Sequence, residues 1–249
     1  MRGVREVPPP ADDEPAATPP APWWPLAAGI AAAAALQPLL PGMFAWFLAA
    51  IPHELGHATF GCLLGRPAAP AISLAGHAWT GIQERHDALV WLLALACGAA
   101  AWWQGAHRGR CLAFAAAAVL LPAIAFTGTA EIAIAAGGHL GELAFAAWCY
   151  AVARTGGYTG ALQERIAGAF AGAMLQWGNL RLCLGLLTDA GARAHYEGSG
   201  SLGLKNDYLV LAEDLCGCRL QSVALLMFVV SLLALPAGLL LARWQRARA

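Results

Sequence analysis

Charge is scarce in this chain. Asp, Glu, Lys and Arg make up 12% of its 249 residues, about half the share of a typical soluble domain. Fifteen acids and fifteen bases cancel to a formal net charge of zero, so no basic surplus exists to hold nucleic acid or a strongly acidic partner. The seven cysteines are odd in number and dispersed, mostly within apolar stretches (Cys62, Cys97, Cys111, Cys149, Cys183), which excludes a disulfide framework. Cys216 and Cys218 share a polar loop, but a C-x-C pair alone is weak evidence for metal. The first apolar run begins only after a long polar tail, so a cleavable signal peptide is not expected. Internal repeats are also lacking.

What fills the chain instead is apolar: 59% of residues are hydrophobic and mean hydropathy is +0.57. Residues 1–22 hold seven of the fifteen prolines together with Asp12, Asp13 and Glu14. Such a segment cannot bury a core and is expected to be a disordered, Pro-rich tail. Trp23 and Trp24 follow, at a place where indoles mark a membrane–water boundary. Apolar segments then occupy 26–40, 43–64, 88–104, 111–127, 129–153, 166–187 and 221–242. The last six approach the ~20 residues a spanning helix needs. The first is short and is cut off by Pro38, Pro41 and Gly42, so it spans, re-enters or lies at the interface. The expected fold is all-α: a polytopic membrane helix bundle of 23–249 with six or seven transmembrane helices.

Positive charge orients the bundle. His107, Arg108 and Arg110 fill one short loop, Arg154 and Arg165 flank another, and Arg243, Arg246 and Arg248 close the chain. Two spans separate each group from the next, which puts all three on one side, predicted cytoplasmic. The 65–87 loop and the polar 188–220 loop then fall outside. Within the latter, Gly198-Ser199-Gly200-Ser201 reads as a flexible turn. Residues 206–215 read as an amphipathic stretch lying on the bilayer surface.

One motif stands out against this background. His53-Glu54-Leu55-Gly56-His57 falls inside the second apolar segment, about 15 Å along a helix from Met43 and so half-way through a ~30 Å hydrocarbon core. Ionisable groups at that depth mark function. H-E-x-x-H on a helix sets two histidines at i and i+4 on one face, able to grip one zinc ion, with the glutamate roughly 100° away as base for a water at the metal. Pro52 removes a backbone hydrogen bond beside the motif and predicts a kink at an internal cavity. A zinc protease site needs a third protein ligand. The segment 129–153 offers Glu131, His139 and Glu142. His139 and Glu142 are i and i+3 on one face, which Ala135, Gly138 and Ala146 extend as a small-residue stripe. Glu142 is the first choice as ligand, with His139 as an alternative ligand or an orienting partner. The competing reading has the two bond to each other and cement helix packing. Asp189 at the end of segment 166–187 is a rival ligand. Gln176, Asn179 and Arg181 in that segment read as interhelical hydrogen-bonding groups.

Residues 52–65 (PHELGHATFGCLLG) followed by 70–76 (PAISLAG) resemble the site-2 protease family of intramembrane zinc metallopeptidases. Its members carry H-E-x-G-H in a transmembrane helix, followed by a small β-hairpin that dips into the membrane. The resemblance implies that His53 and His57 bind zinc, that Glu54 is the catalytic base, and that a small re-entrant β-hairpin follows the second apolar segment. It covers only this stretch. The family's third ligand is an aspartate in an L-D-G motif after an Asn-x-x-Pro element. Neither occurs here in that form, Asn179 and Leu187-Thr188-Asp189-Ala190-Gly191 being a distant echo that lacks the proline. Several members also hold the hairpin on the cytosolic side, whereas the charge count puts 65–87 outside. Both departures point to a divergent branch.

The expected activity is zinc-dependent endoproteolysis of a transmembrane or membrane-associated protein, with Glu54 activating water and a hairpin edge near 69–74 holding the unwound substrate by strand addition. The expected location is a bacterial inner membrane. Two alternatives remain. One is a zinc or other divalent-metal transporter using His53, His57 and His139, against which stands the lack of repeated halves. The other is an inactive membrane scaffold of the same family.

Overall fold

Each apolar segment in the sequence becomes helix. A computed structural model describes residues 22–40, 42–74, 76–105, 107–157, 159–199 and 205–247. The Pro-rich tail, apart from Pro22, lies outside the described residues, as do Gly200, Ser201 and Arg248. The order is α1 (Trp24–Leu36), α2 (Gly42–Leu63), β1 (Ala68–Ser73), β2 (His77–Ile82), α3 (Asp87–Trp103), α4 (Arg108–Ala125), α5 (Thr129–Thr155), α6 (Leu162–Thr188), α7 (Ala190–Gly198), α8 (Asp207–Leu209), α9 (Leu220–Leu232) and α10 (Ala234–Arg246). α8 runs on directly as a π-helix, Val210–Leu215.

Local chemistry sets the boundaries. Pro25 opens α1, where a missing N–H is harmless. Gly156 closes α5 in the left-handed conformation, φ 95°, its N–H returning to the Val152 carbonyl. Asp189 ends α6 and caps α7 by accepting from the Gly191 N–H. The 221–242 segment breaks at Leu233, three residues before Pro236. Among the described residues, three stretches are long and apolar enough to cross a membrane: α4, α5 and the α9–α10 run, Leu220–Arg246. α1 and α3 are apolar but shorter.

The segment after α2 is a two-stranded antiparallel hairpin, with Ala68 paired to Ile82 and Ser73 to His77. It packs on α2, which in turn packs on α5; α5 also meets α6 and α10. Small residues let α2 and α5 touch backbone to backbone. A Cβ on Gly56 would strike the Gly137 carbonyl, and one on Gly141 would lie 2.5 Å from the Pro52 carbonyl oxygen. That approach carries the H-E-x-x-H face of α2 directly against α5.

Residues 206–215 do not present their apolar face to the outside. Tyr208, Leu209, Leu211 and Ala212 are buried in the main core with Leu143, Leu175, Cys183 and Leu186. An amphipathic segment must cover its apolar side, and here protein covers it.

Candidate metal centre

Helical spacing brings His53 and His57 together, their Nε2 atoms 3.2 Å apart and the rings nearly perpendicular at 77°. Each ring is fixed through its other nitrogen. His57 Nδ1 lies 2.8 Å from the Ile134 carbonyl oxygen. That oxygen can only accept, so Nδ1 carries the proton and Nε2 of a neutral ring presents a lone pair. His53 Nδ1 lies 2.5 Å from Glu142 Oε1, with the same consequence. Both Nε2 atoms face Asp207 Oδ2, at 2.9 Å from His53 and 3.2 Å from His57.

A third imidazole stands behind this trio. His139 Nδ1 is 3.0 Å from Asn179 Oδ1, and Asn179 Nδ2 donates to Glu142 Oε2 at 2.6 Å. The carboxylate fixes the amide's orientation, and the amide fixes the His139 tautomer, which turns Nε2 toward Asp207 Oδ2, 3.9 Å away. His139, Glu142 and Asn179 are all buried.

Asp207 is held in place from α7. Asn206 Nδ2 donates to the Tyr196 carbonyl at 2.6 Å, and the Tyr208 N–H donates to the Tyr196 hydroxyl at 3.4 Å. The Tyr208 ring is fully buried and lies 4.4 Å from that of His139. Burial alone would push the Asp207 carboxyl up; with His53 and His57 doubly protonated, their Nε2–H hydrogen bonds and positive charge outweigh it and hold the group well below the usual carboxylate range. Burial pushes the Tyr196 phenol up, so it stays protonated.

A cavity of about 680 Å³ opens onto His53, Glu54, His57, Thr80, Tyr196 and Asp207. Glu54 is 6% exposed, and Thr80 Oγ1 on β2 lies 2.6 Å from its Oε2. The hairpin thus reaches the motif through β2. Its residues Ala78, Trp79, Thr80 and Ile82 line the cavity, whereas residues 69–74 do not.

Among the described residues, two groups have a spacing suited to a metal: His53, His57 and Asp207; and His53, His139 and Glu142. A tetrahedral zinc with bonds of about 2.0–2.1 Å sets its ligand atoms about 3.3 Å apart. The first group, at 2.9–3.2 Å, is close to that. In the second, the His53–Glu142 separation of 2.5 Å is that of a hydrogen bond and leaves no room for an ion between the two atoms. The other sequence candidates are not part of either group, although Glu131 lines the same cavity. Asp189 is exposed and occupied with capping α7. Glu131 is ion-paired to Arg66, and Gln176 bridges the Tyr150 hydroxyl and the Ser231 carbonyl. Sequence reasoning missed Asp207. The available signal was an acid directly after Asn206 at the head of Tyr208-Leu209-Val210-Leu211-Ala212, a run apolar enough to be drawn inside.

Comparison with protein-family models, with curated proteins and with solved structures gives no match.

Proposed function

We propose that the chain is a multi-pass membrane protein of six or seven spans that hydrolyses peptide bonds of a transmembrane or membrane-associated protein, with zinc held by His53, His57 and Asp207. One observation carries this reading: three lone-pair-bearing atoms, two imidazole Nε2 and one carboxylate oxygen, converge within 3.2 Å of one another. Such a gathering is repulsive until a cation or protons sit among it. A two-nitrogen, one-oxygen donor set with room for a fourth partner suits catalytic zinc.

When bound, zinc supplies Lewis acidity, which makes a water acidic and polarises the scissile carbonyl. The chain's own residues do the rest. Thr80 pins Glu54, a residue lining the cavity, by Oε2, which leaves Oε1 to take the proton of the attacking water. The same carboxyl then returns that proton to the leaving amine as the C–N bond breaks. Glu142 and the Ile134 carbonyl hold the two imidazoles in register through Nδ1. β2 offers an edge to an extended substrate segment beside the cavity, and Trp79 gives it an apolar wall.

The test uses the purified full chain and a quenched fluorescent peptide of transmembrane composition. Wild type should hold one zinc per chain and release fluorescence. Asp207→Ala and His57→Ala should lose zinc, and Glu54→Gln should keep zinc and lose cleavage. Zinc uptake by sealed vesicles without any cleavage would replace the reading with transport. Wild type that stays metal-free in excess zinc would end both.

A further inference from the structure

We propose that a hollow at the end of α10 binds an anionic phospholipid. Pro236, Leu239, Leu240, Arg243 and Arg246 follow i, i+3, i+4, i+7, i+10 spacing, which aligns them on one helix face. That face, with Trp23 and Arg154, lines a hollow of about 550 Å³. From Pro236 to Arg246 the face runs about 15 Å, apolar at its start and cationic at its end. The order matches a phospholipid, acyl chain first and phosphate at the rim.

The rim is built rather than incidental. The Arg154 guanidinium lies 3.7 Å over the Trp23 ring and donates to the Pro22 carbonyl at 2.9 Å. Arg165 donates to the same carbonyl, also at 2.9 Å, and to that of Ala153 at 3.0 Å. Four arginines thereby gather at one end of α5, α6 and α10, and Arg243 and Arg246 pair with no carboxylate among the described residues. Like charges so placed favour a bound anion, and phosphate oxygens match guanidinium forks. A free phosphate would have no use for the leucine floor. Trp23, Trp24 and Trp244 are all more than half exposed around this end, as expected of an indole belt at headgroup level. Basic hollows between helices on the cytoplasmic face are where anionic headgroups bind, and the arginine count places this end there.

The proposal rests on the membrane placement and is independent of the zinc chemistry. The test is native mass spectrometry of the full chain in a zwitterionic detergent with equimolar phosphatidylglycerol and phosphatidylcholine. Wild type should retain phosphatidylglycerol preferentially, and the Arg243→Gln/Arg246→Gln chain should lose about thirtyfold of that affinity. Equal retention of the two lipids, an unchanged preference in the double variant, or displacement by an equal concentration of inorganic phosphate would overturn it. Should the double variant fail to purify, wild type alone decides, because raised salt must weaken the preference and an unchanged one refutes it. Flotation of native membranes tests the placement separately: a chain left in the aqueous fraction fails that reading whichever lipid it retains.

Discussion

Gly138 on α5 faces the two imidazoles, and adding one methyl group there probes whether the ion sits where the ligand atoms converge. A Cβ at this position would lie 2.5 Å from His57 Nε2 and 2.6 Å from both Nε2 and Cε1 of His53. That is about 1 Å inside van der Waals contact. Neither ring can slide away while its Nδ1 keeps its partner, Glu142 for His53 and the Ile134 carbonyl for His57. The rings must tilt and spoil the convergence of their lone pairs. Loss of an orienting partner alone lowers metal affinity by about 10–100-fold, or about 1.4–2.8 kcal/mol, and direct obstruction exceeds that. Helix propensity acts the other way, alanine being favoured over glycine in a helix interior by about 0.5–1 kcal/mol. Gly138→Ala should therefore melt near the wild-type temperature without metal, yet lose the stabilisation that zinc confers on wild type. The assay is zinc titration against a competing chelator, paired with thermal unfolding in detergent with and without zinc. Gly98→Ala on α3, with nothing within 4 Å of the new Cβ, is the control and should bind zinc normally. Wild-type zinc affinity in Gly138→Ala would refute the placement of the ion.

Glu142→Gln, which keeps shape but removes the charge that holds His53, should weaken zinc binding about 10–100-fold, whereas Asp189→Asn should leave it unchanged; chelator competition measures both. Thr80→Val frees the Glu54 carboxylate and should lower kcat about ten- to hundredfold at unchanged zinc content, read from peptide cleavage beside metal analysis. Tyr208→Ala removes a fully buried ring that seats α8. It should destabilise the chain by about 3–5 kcal/mol, seen as a lowered melting temperature, and release zinc along with Asp207.

Several parts of this arrangement are legible in the sequence because they depend on local spacing. An i, i+4 pair of histidines must share a helix face, and their Nε2 atoms are 3.2 Å apart. His139 and Glu142, three apart, both turn inward and are each 7% exposed. The glycines around them permit the close approach of α2 that their small size suggests. The hairpin after α2, which the family resemblance rather than spacing implied, is present, paired from Ala68 to Ile82. Asp207 is different. It stands 150 residues from His57, in a segment whose amphipathic pattern fits a bilayer surface and a protein interior equally, since periodicity marks an apolar face without saying what covers it. Nor can residue type alone separate a ligand from an orienting group, because both roles use histidine and carboxylate. The difference lies in separations of 2.5 and 3.2 Å. α2 and α6 are 22 and 27 residues long, but the polar groups they bring to the centre lower their hydropathy, and they are not among the three stretches long and apolar enough to cross a membrane.

On the proposed reading, charge counting gives Glu142 a place at the centre without its being a ligand. Asp207 and Glu142 bring two negative charges into a buried cluster whose three imidazoles are neutral when Nδ1 alone is protonated. Charge left uncompensated in such surroundings is costly, because the medium screens weakly and pairing must do what water cannot. One divalent cation held by His53, His57 and Asp207 would cancel both carboxylates, Asp207 as a ligand and Glu142 through the His53 ring. Protons on the imidazoles or the carboxylates are the other way to neutrality, so protons compete with the ion for these lone pairs. A monovalent cation would leave one charge over, and a trivalent one would exceed the count. Glu54, bonded to Thr80, stays outside this balance, which on the proposed reading leaves its carboxylate to accept a proton from a reacting water.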